Sequence, residues 1–302
     1  MACFLDSSAQ TRLSTLIPDE PFFQLIPCTS GRIRRNACIT LRGSCYTGWR
    51  MRKIRLVVRL TLGVVWTLLV WLVRVLVWPT ALYSEALDRR LRRKIVRFWG
   101  WGFPRIIGMR VEVHGAPPSP PFYIVANHLS YVDIWLLAAI TGCGFVARGD
   151  VQHWPIIGLI SKSIYVLFID RESKKDAVRV NQLIEHALKM GDGIAVFAES
   201  RITRGLDVEP FKSALIEPAI ANAVPVHYAT LSYRTHPGCP PASRVVGWWR
   251  PEPFFHHMFR MFQIRGFTAT VHFGEAPLHG ENRKELAAKL HAAVQAPFIA
   301  LD

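Results

Sequence analysis

The sequence predicts an α/β fold, with a mostly parallel sheet flanked by helices and preceded by N-terminal membrane-associated helices. Two observations predict this class. From residue 111 onward, short apolar runs typical of strands alternate with helix-like stretches, an order that favours a parallel sheet with its site at the carboxyl ends of the strands. Before them, residues 60–78 form a long apolar run with basic residues on both sides.

The chain is both strongly basic and strongly apolar. Its 302 residues carry a formal net charge of +15, and half of them are hydrophobic. Residues 51–110 account for +11 of this charge, whereas residues 111–302 are nearly neutral at +1. This composition excludes a disordered chain and favours membrane lipids over nucleic acid as the partner, because nucleic acid explains the charge but not the apolar content.

The composition also divides the chain into three segments. Residues 1–50 show no sustained periodicity, so we expect either a disordered arm or a stretch upstream of the true start, since Met51 opens a cationic segment followed at once by an apolar one. Residues 51–110 are expected to form a basic, hydrophobic membrane anchor. Residues 111–302 are long enough to form one globular domain with its own core.

Within the anchor, Leu60 to Trp78 form a 19-residue apolar run in which Arg74 is the sole charge, and Pro79 ends it. This length just reaches across about 30 Å of hydrocarbon as a helix. Basic residues flank the run on both sides, so a helical hairpin fits better than a simple span. The six cations within residues 89–97 and the nearby tryptophans predict a second, amphipathic helix lying against anionic lipid.

In the domain, strands and helices are expected to alternate. Strands are expected at 122–126, 144–147, 165–169, 193–198, 224–233 and 267–273. Helices are expected near 131–141, 175–190, 212–222, 254–264 and 281–295.

The candidate catalytic residues directly follow the first of these strands. Asn127 and His128 end the strand, and Asp133 lies five residues after His128. Ser130 and Asp133 have the spacing of a capping box, which would place His128 in a loop and Asp133 in the first turn of a helix. A carboxylate there can hold one imidazole nitrogen and leave the other free as a general base. Alternatively, Asp133 only caps the helix and His128 is an ordinary loop histidine.

Four sequence blocks in the expected order resemble the glycerolipid acyltransferases, the family of 1-acyl-glycerol-3-phosphate and related lysophospholipid acyltransferases. The blocks are Asn-His-x-x-x-x-Asp at 127–133, ARGDVQHWPIIGLISKSIYVLFIDRES at 147–173, FAESRITRG at 197–205, and EPFKSALIEPA at 209–219 followed by AVPV at 223–226. The resemblance covers roughly residues 95–295.

The resemblance implies the glycerolipid acyltransferase fold and transfer of a fatty acyl group from acyl-CoA or acyl carrier protein to a lyso-lipid hydroxyl. It makes His128 the base and Asp133 its orienting partner, with no covalent acyl-enzyme. The expected acceptor is 1-acyl-sn-glycerol-3-phosphate, which would give phosphatidic acid. One alternative is another lyso-lipid, such as a lyso-ornithine lipid, and a second is a non-catalytic basic membrane adaptor that retains the fold.

The third block departs from the family's Phe-Pro-Glu-Gly-Thr-Arg. Ala198 and Ser200 replace the proline and the glycine, and Ile202 occupies the position of the phosphate-binding arginine. Arg201 and Arg204 flank that position, and either is able to hold a phosphate or a carboxylate. The expected substrate-binding residues are Asn127, Arg148, Arg171, Glu199, Ser200, Arg201 and Arg204, of which Arg148 stands where the family usually has lysine.

We expect no metal site and no cofactor apart from the acyl thioester, which is a co-substrate. The basic, apolar anchor predicts a location at a membrane, and we expect the cytoplasmic face of the inner membrane.

Overall fold

The structure is a computed structural model that describes residues 48–301 except 156, 165, 171 and 172. The predicted arm at residues 1–50 lies outside the described residues apart from its last three, and so does Arg171. The helices are α1 Trp49–Val77, α2 Thr80–Tyr83, α3 Glu85–Ile107, α4 Val132–Thr141, α5 Ile157–Ser163, α6 Lys174–Lys189, α7 Glu217–Ala221, α8 Ala242–Val245, α9 Phe254–Gln263 and α10 Arg283–Gln295. The strands are β1 Met109–His114, β2 Phe122–Ala126, β3 Gly144–Arg148, β4 Leu167–Ile169, β5 Gly193–Phe197, β6 Val226–Thr235 and β7 Phe267–Phe273.

The seven strands form one sheet in the order β1-β7-β6-β2-β5-β3-β4. Every neighbouring pair is parallel except β6 and β7, which run antiparallel. The predicted α/β class with a mostly parallel sheet is therefore confirmed. Strand β1 is absent from the predicted strands. Its MRVEVH alternates apolar with polar residues, as suits a half-exposed strand at the edge of the sheet.

The central strand β2 explains how the core divides into two layers. All five of its side chains are buried, and they alternate between two apolar clusters. Phe122 and Ile124 face the cluster that includes α3, α4 and α9, whereas Tyr123 and Val125 face the one that includes α6, α7 and α10. Helices therefore cover both faces of the sheet, and the carboxyl ends of its strands are the expected place for a site.

The single helix predicted at 212–222 is wrong in detail. A 3-10 turn at Ser213–Leu215 is followed by the short α7 instead. Pro218 lies in the first turn of α7, where a missing backbone N–H is tolerated, but the same proline would remove a hydrogen bond from the interior of a continuous helix.

Helices α1 and α3 pack against each other as an antiparallel hairpin. The indole N–H of Trp66 on α1 donates to the backbone oxygen of Trp99 on α3 at 2.9 Å. Helix α3 begins after Ser84, whose hydroxyl accepts the N–H of Leu87, and it ends at Gly108 with a left-handed φ of 73°. Among the described residues, the stretch Arg50–Tyr83 is long and apolar enough to cross a membrane, with a mean hydropathy of 2.2 in its most apolar window.

The outer face of α1 is apolar and exposed. Its exposed side chains include Ile54, Val58, Leu62, Val65, Leu69, Leu72 and Leu76, spaced three or four residues apart. A contiguous exposed apolar face of this length is typical of a membrane-associated helix.

The basic cluster on α3 does not face outward as a whole. Arg89, Arg92 and Arg93 all donate to the buried carboxylate of Asp192, at 2.5, 2.5 and 2.8 Å respectively. These three guanidinium groups are therefore part of an internal ion network that ties α3 to the turn before β5. The expectation that all six cations lie against anionic lipid is thus wrong for half of them, whereas Arg90, Lys94 and Arg97 are exposed.

Candidate active site

The site lies in the loop between β2 and α4, at the carboxyl end of a central strand. Asn127 is fully buried, and its amide pairs with the backbone of Leu231 on β6, donating at 2.9 Å and accepting at 2.7 Å. Both polar groups of the Asn127 side chain are therefore occupied within the sheet. The arrangement continues the β2–β6 pairing by one residue and fixes where the loop that carries His128 begins.

His128 and Asp133 are in direct contact. The Nδ1 of His128 lies 2.7 Å from Oδ2 of Asp133, whose carboxylate is fully buried. The same carboxylate accepts the backbone N–H groups of Leu129 and Ser130 at 2.7 and 3.0 Å, and the hydroxyl of Tyr233 at 2.6 Å. Because an ionised carboxylate only accepts, it holds the proton of His128 on Nδ1 and leaves Nε2 with a free electron pair.

The Nε2 atom is also accessible. The His128 side chain is 16% exposed, and within the described part of the chain Nε2 has no hydrogen-bond partner. Its ring stacks on Phe197 at the end of β5, with centroids 3.9 Å apart and planes 10° from parallel. Asp133 thus fixes the tautomer and Phe197 fixes the ring plane, as a general base requires.

The predicted capping box forms only in part. Helix α4 begins at Val132, and Asp133 reaches back to the N–H of Ser130 as expected. The hydroxyl of Ser130, however, is buried without a hydrogen bond, and the Asp133 N–H donates to the Ser130 backbone oxygen instead. The carboxylate therefore contacts both the histidine and the start of the helix.

The Glu199 side chain holds the backbone of the loop that carries His128. Its buried carboxylate accepts the N–H of His128 at 2.5 Å and the N–H of Glu209 at 2.8 Å. Burial, reinforced by the charge of Asp133, raises the pKa of Glu199 to about 7. Both oxygens of this expected substrate-binding residue are therefore occupied by the protein's own backbone.

The raised pKa of Glu199 predicts a specific pH dependence of stability. The ordinary pKa of a glutamate is 4.5, so between pH 4.5 and about 7 the folded state retains a proton that the unfolded state has lost. The free energy of unfolding therefore falls as pH rises through this range. Over this pH range, the Glu199 carboxyl should lower the free energy of unfolding of the wild type by up to about 3 kcal/mol. The Glu199→Gln variant, which has no carboxyl at this position, should not show this decrease. Chemical unfolding of both proteins in detergent at pH 4.5 and pH 7.5 measures this change in the free energy of unfolding. The same change in both proteins would contradict a raised pKa at Glu199.

The backbone of Ser200 has a conformation that favours glycine, the residue that the third block of the resembled family has at this position. Its φ is 68°, in the left-handed region that glycine adopts without steric cost. We expect Ser200→Gly to stabilise the protein by about 0.5–1 kcal/mol, which a thermal unfolding midpoint would show as a rise of a few degrees. Ser200→Ala is the matched control because it removes the hydroxyl and keeps the strained backbone. Equal midpoints for the two variants would contradict this explanation.

The expected cations of the site are not equivalent. Arg148 is 67% exposed and forms two hydrogen bonds of 2.6 Å with Asp150. Arg201 is 70% exposed and binds Glu209 through both of its carboxylate oxygens. Arg204 instead lies over the ring of Trp249, with its guanidinium carbon 5.2 Å from the ring centroid.

The expected residues therefore fall into two groups. One hydrogen-bonded network joins His128 to Asp133 and to Glu199 and Thr203 of the third block, since the Thr203 N–H donates to the His128 carbonyl at 3.0 Å. Asn127 precedes this network and is bonded to Leu231 on β6. Arg148 lies at the end of β3, two strands away from β2 in the sheet, and binds a carboxylate of its own turn.

Sequence reasoning missed two residues that support the loop between β2 and α4. Tyr233 binds Asp133 from β6, and His257 on α9 is buried between Tyr131 and Gly247. The hydroxyl of Tyr131 lies 3.0 Å from Nδ1 of His257, and Nε2 of His257 lies 3.0 Å from the Gly247 oxygen. Burial lowers the pKa of His257 to about 4, so the ring is neutral at pH 7 and Nε2 donates. His257 is 126 residues from its partner Tyr131, and Tyr233 is 100 residues from its partner Asp133. No local sequence pattern indicates a contact over such a separation.

The fold and the site define an enzyme class: an α/β domain in which a buried aspartate contacts an accessible histidine at the carboxyl end of a central strand, preceded by a helical hairpin whose first helix is apolar. The family model described as Acyltransferase matches residues 110–232. Two lyso-ornithine lipid O-acyltransferases are each 31% identical to this chain. The one from Rhodobacter capsulatus aligns with 63% of this chain and 70% of its own length, and the one from Pseudomonas aeruginosa with 68% and 78%.

Two further relatives extend this likeness. A 1-acyl-sn-glycerol-3-phosphate acyltransferase from Neisseria meningitidis is 30% identical over 49% of this chain and 58% of its own length. The crystal structure of the 1-acyl-sn-glycerophosphate acyltransferase from Thermotoga maritima has the same fold, with a TM-score of 0.57 and 18% identity over 81% of this chain and 95% of that chain. The chain belongs to the glycerolipid acyltransferase family, and it is an acyltransferase of lipid biosynthesis.

Proposed function

We propose that the protein transfers a fatty acyl group from an acyl thioester, acyl-CoA or acyl carrier protein, to the free hydroxyl of a lyso-lipid. The observation that supports this reaction is the His128–Asp133 pair, in which Asp133 holds Nδ1 and Nε2 is free and accessible. A thioester is already activated, so a positioned base suffices and no nucleophilic side chain is required.

In this mechanism, Nε2 of His128 takes the proton of the acceptor hydroxyl while the hydroxyl oxygen attacks the thioester carbonyl carbon. The new C–O bond forms, and the carbonyl electron pair moves to its oxygen. When the tetrahedral intermediate collapses, the C–S bond breaks, and the leaving thiolate takes the proton back from His128. Asp133 stabilises the imidazolium between these two steps and is not itself protonated.

The acceptor proposed first is 1-acyl-sn-glycerol-3-phosphate. A lyso-ornithine lipid is the second candidate, and two observations favour it. Arg148 and Arg201, two of the cations expected to bind a phosphate, are already bound by Asp150 and Glu209, and Ile202 occupies the phosphate-binding position. In addition, two relatives that align with most of their own length are named lyso-ornithine lipid O-acyltransferases.

We propose that the enzyme works at the cytoplasmic face of the inner membrane. The exposed apolar face of α1 and the exposed cations Arg90, Lys94 and Arg97 of α3 support attachment to an anionic bilayer. Basic residues at both ends of the α1 apolar run support a cytoplasmic location for both ends.

The experiment incubates membranes containing the protein with labelled acyl-CoA or acyl carrier protein and a panel of lyso-lipids, and identifies the product by mass. Acylation of 1-acyl-sn-glycerol-3-phosphate gives phosphatidic acid, and acylation of lyso-ornithine lipid gives ornithine lipid. The absence of product with every donor and acceptor would overturn the proposal in favour of a non-catalytic membrane adaptor.

A further inference from the structure

Three side chains next to the catalytic loop form a basic, aromatic cluster, which joins Arg204, an expected substrate-binding residue, to two residues that the sequence did not indicate. The guanidinium carbons of Arg204 and Arg250 lie 5.2 and 5.1 Å from the ring centroid of Trp249. Both arginines are exposed, and among the described residues neither has a carboxylate within 4.0 Å. We call Arg204, Trp249 and Arg250 the Arg–Trp cluster.

Two backbone hydrogen bonds attach this cluster to the catalytic loop. The N–H of Thr203, the residue before Arg204, donates to the carbonyl of His128 at 3.0 Å. The N–H of Trp248, the residue before Trp249, donates to the carbonyl of Leu129 at 3.0 Å. The backbone that carries the cluster is therefore bonded directly to the loop that carries His128.

The indole ring of the cluster is held in a defined orientation. The Nε1–H of Trp249 donates to the backbone oxygen of Ser243 at 2.9 Å, which fixes the ring. The Trp249 side chain is nevertheless half-exposed. A fixed ring with two guanidinium groups beside it is a preorganised surface, so less conformational entropy is lost when a ligand binds.

The other candidate cations are less suited to hold a substrate anion. Arg148 and Arg201 each form paired hydrogen bonds with a neighbouring carboxylate, and a substrate oxoanion would have to displace Asp150 or Glu209. Among the described residues, no carboxylate pairs with the guanidinium groups of the Arg–Trp cluster, so an oxoanion would displace none of them there. Their planar pairs of N–H donors match the oxygens of a phosphate or a carboxylate.

We propose that the Arg–Trp cluster binds an oxoanion, a phosphate or carboxylate, of a substrate of the acyl transfer. The inference rests on the proposed function. Two substrates carry this chemistry: the acceptor lipid through its headgroup, and the acyl-CoA donor through its phosphates. The cluster thus supplies the anion recognition that Ile202 cannot provide at the family's usual position.

A binding experiment in the inactive His128→Ala background tests the cluster separately from catalysis. The probes are 1-acyl-sn-glycerol-3-phosphate, lyso-ornithine lipid, CoA and the neutral monoacylglycerol, titrated in detergent by calorimetry. Adding Arg250→Gln or Trp249→Leu to this background should weaken binding of at least one oxoanion probe about tenfold. Added salt should reduce the difference in affinity between the proteins with and without the added substitution. Binding of monoacylglycerol should stay unchanged. Arg283→Gln, which removes an exposed charge at the start of α10, is the matched control.

Each outcome of this titration has a defined meaning. Weakened binding of a lipid probe assigns the cluster to the acceptor headgroup, and weakened binding of CoA assigns it to the donor. Unchanged binding of all three oxoanion probes, or an equal loss for monoacylglycerol, would overturn the inference, as would the absence of any oxoanion binding. In the active protein, Arg250→Gln should raise KM for the same substrate about tenfold with kcat nearly unchanged. If the active protein catalyses no transfer at all, the proposed function fails, but the binding result still decides on the cluster.

Discussion

Substituting His128 by alanine is expected to lower kcat for acyl transfer by at least about a hundredfold and by up to about ten-thousandfold. The substitution removes Nε2, the accessible basic atom that Asp133 orients at 2.7 Å through Nδ1. Binding of the lyso-lipid should change much less, because the loss concerns an interaction made in the transition state. Product formation by membranes with equal amounts of each protein, quantified by mass, measures the effect.

The His128→Ala protein is expected to keep its fold and its membrane attachment. Asp133 retains the donors Leu129, Ser130 and Tyr233, so its buried carboxylate is not left without hydrogen bonds. Helix α1, with its exposed apolar face, is unchanged. Recovery in the membrane fraction and an unaltered circular dichroism spectrum are therefore the controls. Near-wild-type transfer by a correctly attached His128→Ala protein would rule out His128 as the base.

The contact between His128 and Asp133 is predictable from the sequence because it is local. His128 and Asp133 are five residues apart, and the preceding apolar strand and following helix fix their relation. Its support is not local. Tyr233 reaches Asp133 from β6, and Glu199 reaches the His128 backbone from the end of β5, so both contacts depend on the sheet order β6-β2-β5. That order is a tertiary property, and the alternation of strands and helices does not specify it.

The same limit applies to charge. The sequence places most of the net charge in residues 51–110, and this remains correct, but it does not show which cations are neutralised inside the protein. Asp192 follows the cluster on α3 by about a hundred residues and binds three of its arginines. Arg59 on α1 donates to the backbone oxygens of Phe262 and Ile264 at the end of α9. The positive charge available to lipid is therefore smaller than the composition suggests.

The ion pair between Arg74 and Asp88 gives the second large prediction. Arg74 is the sole charge in the apolar run of α1, and its guanidinium lies 2.9 Å from the Asp88 carboxylate on α3, with both side chains almost fully buried. Its Nε also donates to the backbone oxygen of Ser163 at 2.9 Å. We expect Arg74→Leu to destabilise the protein by about 3–5 kcal/mol, because the Asp88 carboxylate stays buried without the guanidinium that binds it. The thermal unfolding midpoint in detergent should fall by roughly 10 °C.

The double variant Arg74→Leu with Asp88→Leu separates the ion pair from simple loss of packing. Removing both charges also removes the desolvation penalty, so the double variant should recover most of the stability that the single variant loses. If both variants are equally unstable, the charge of Asp88 is not the cause. Recovery would show that the ion pair contributes little net stability. Its contribution would then come from its position near the turn of the hairpin. There it brings one residue of α1 opposite one residue of α3, and the register of these two helices is the property that an apolar pair would specify less well.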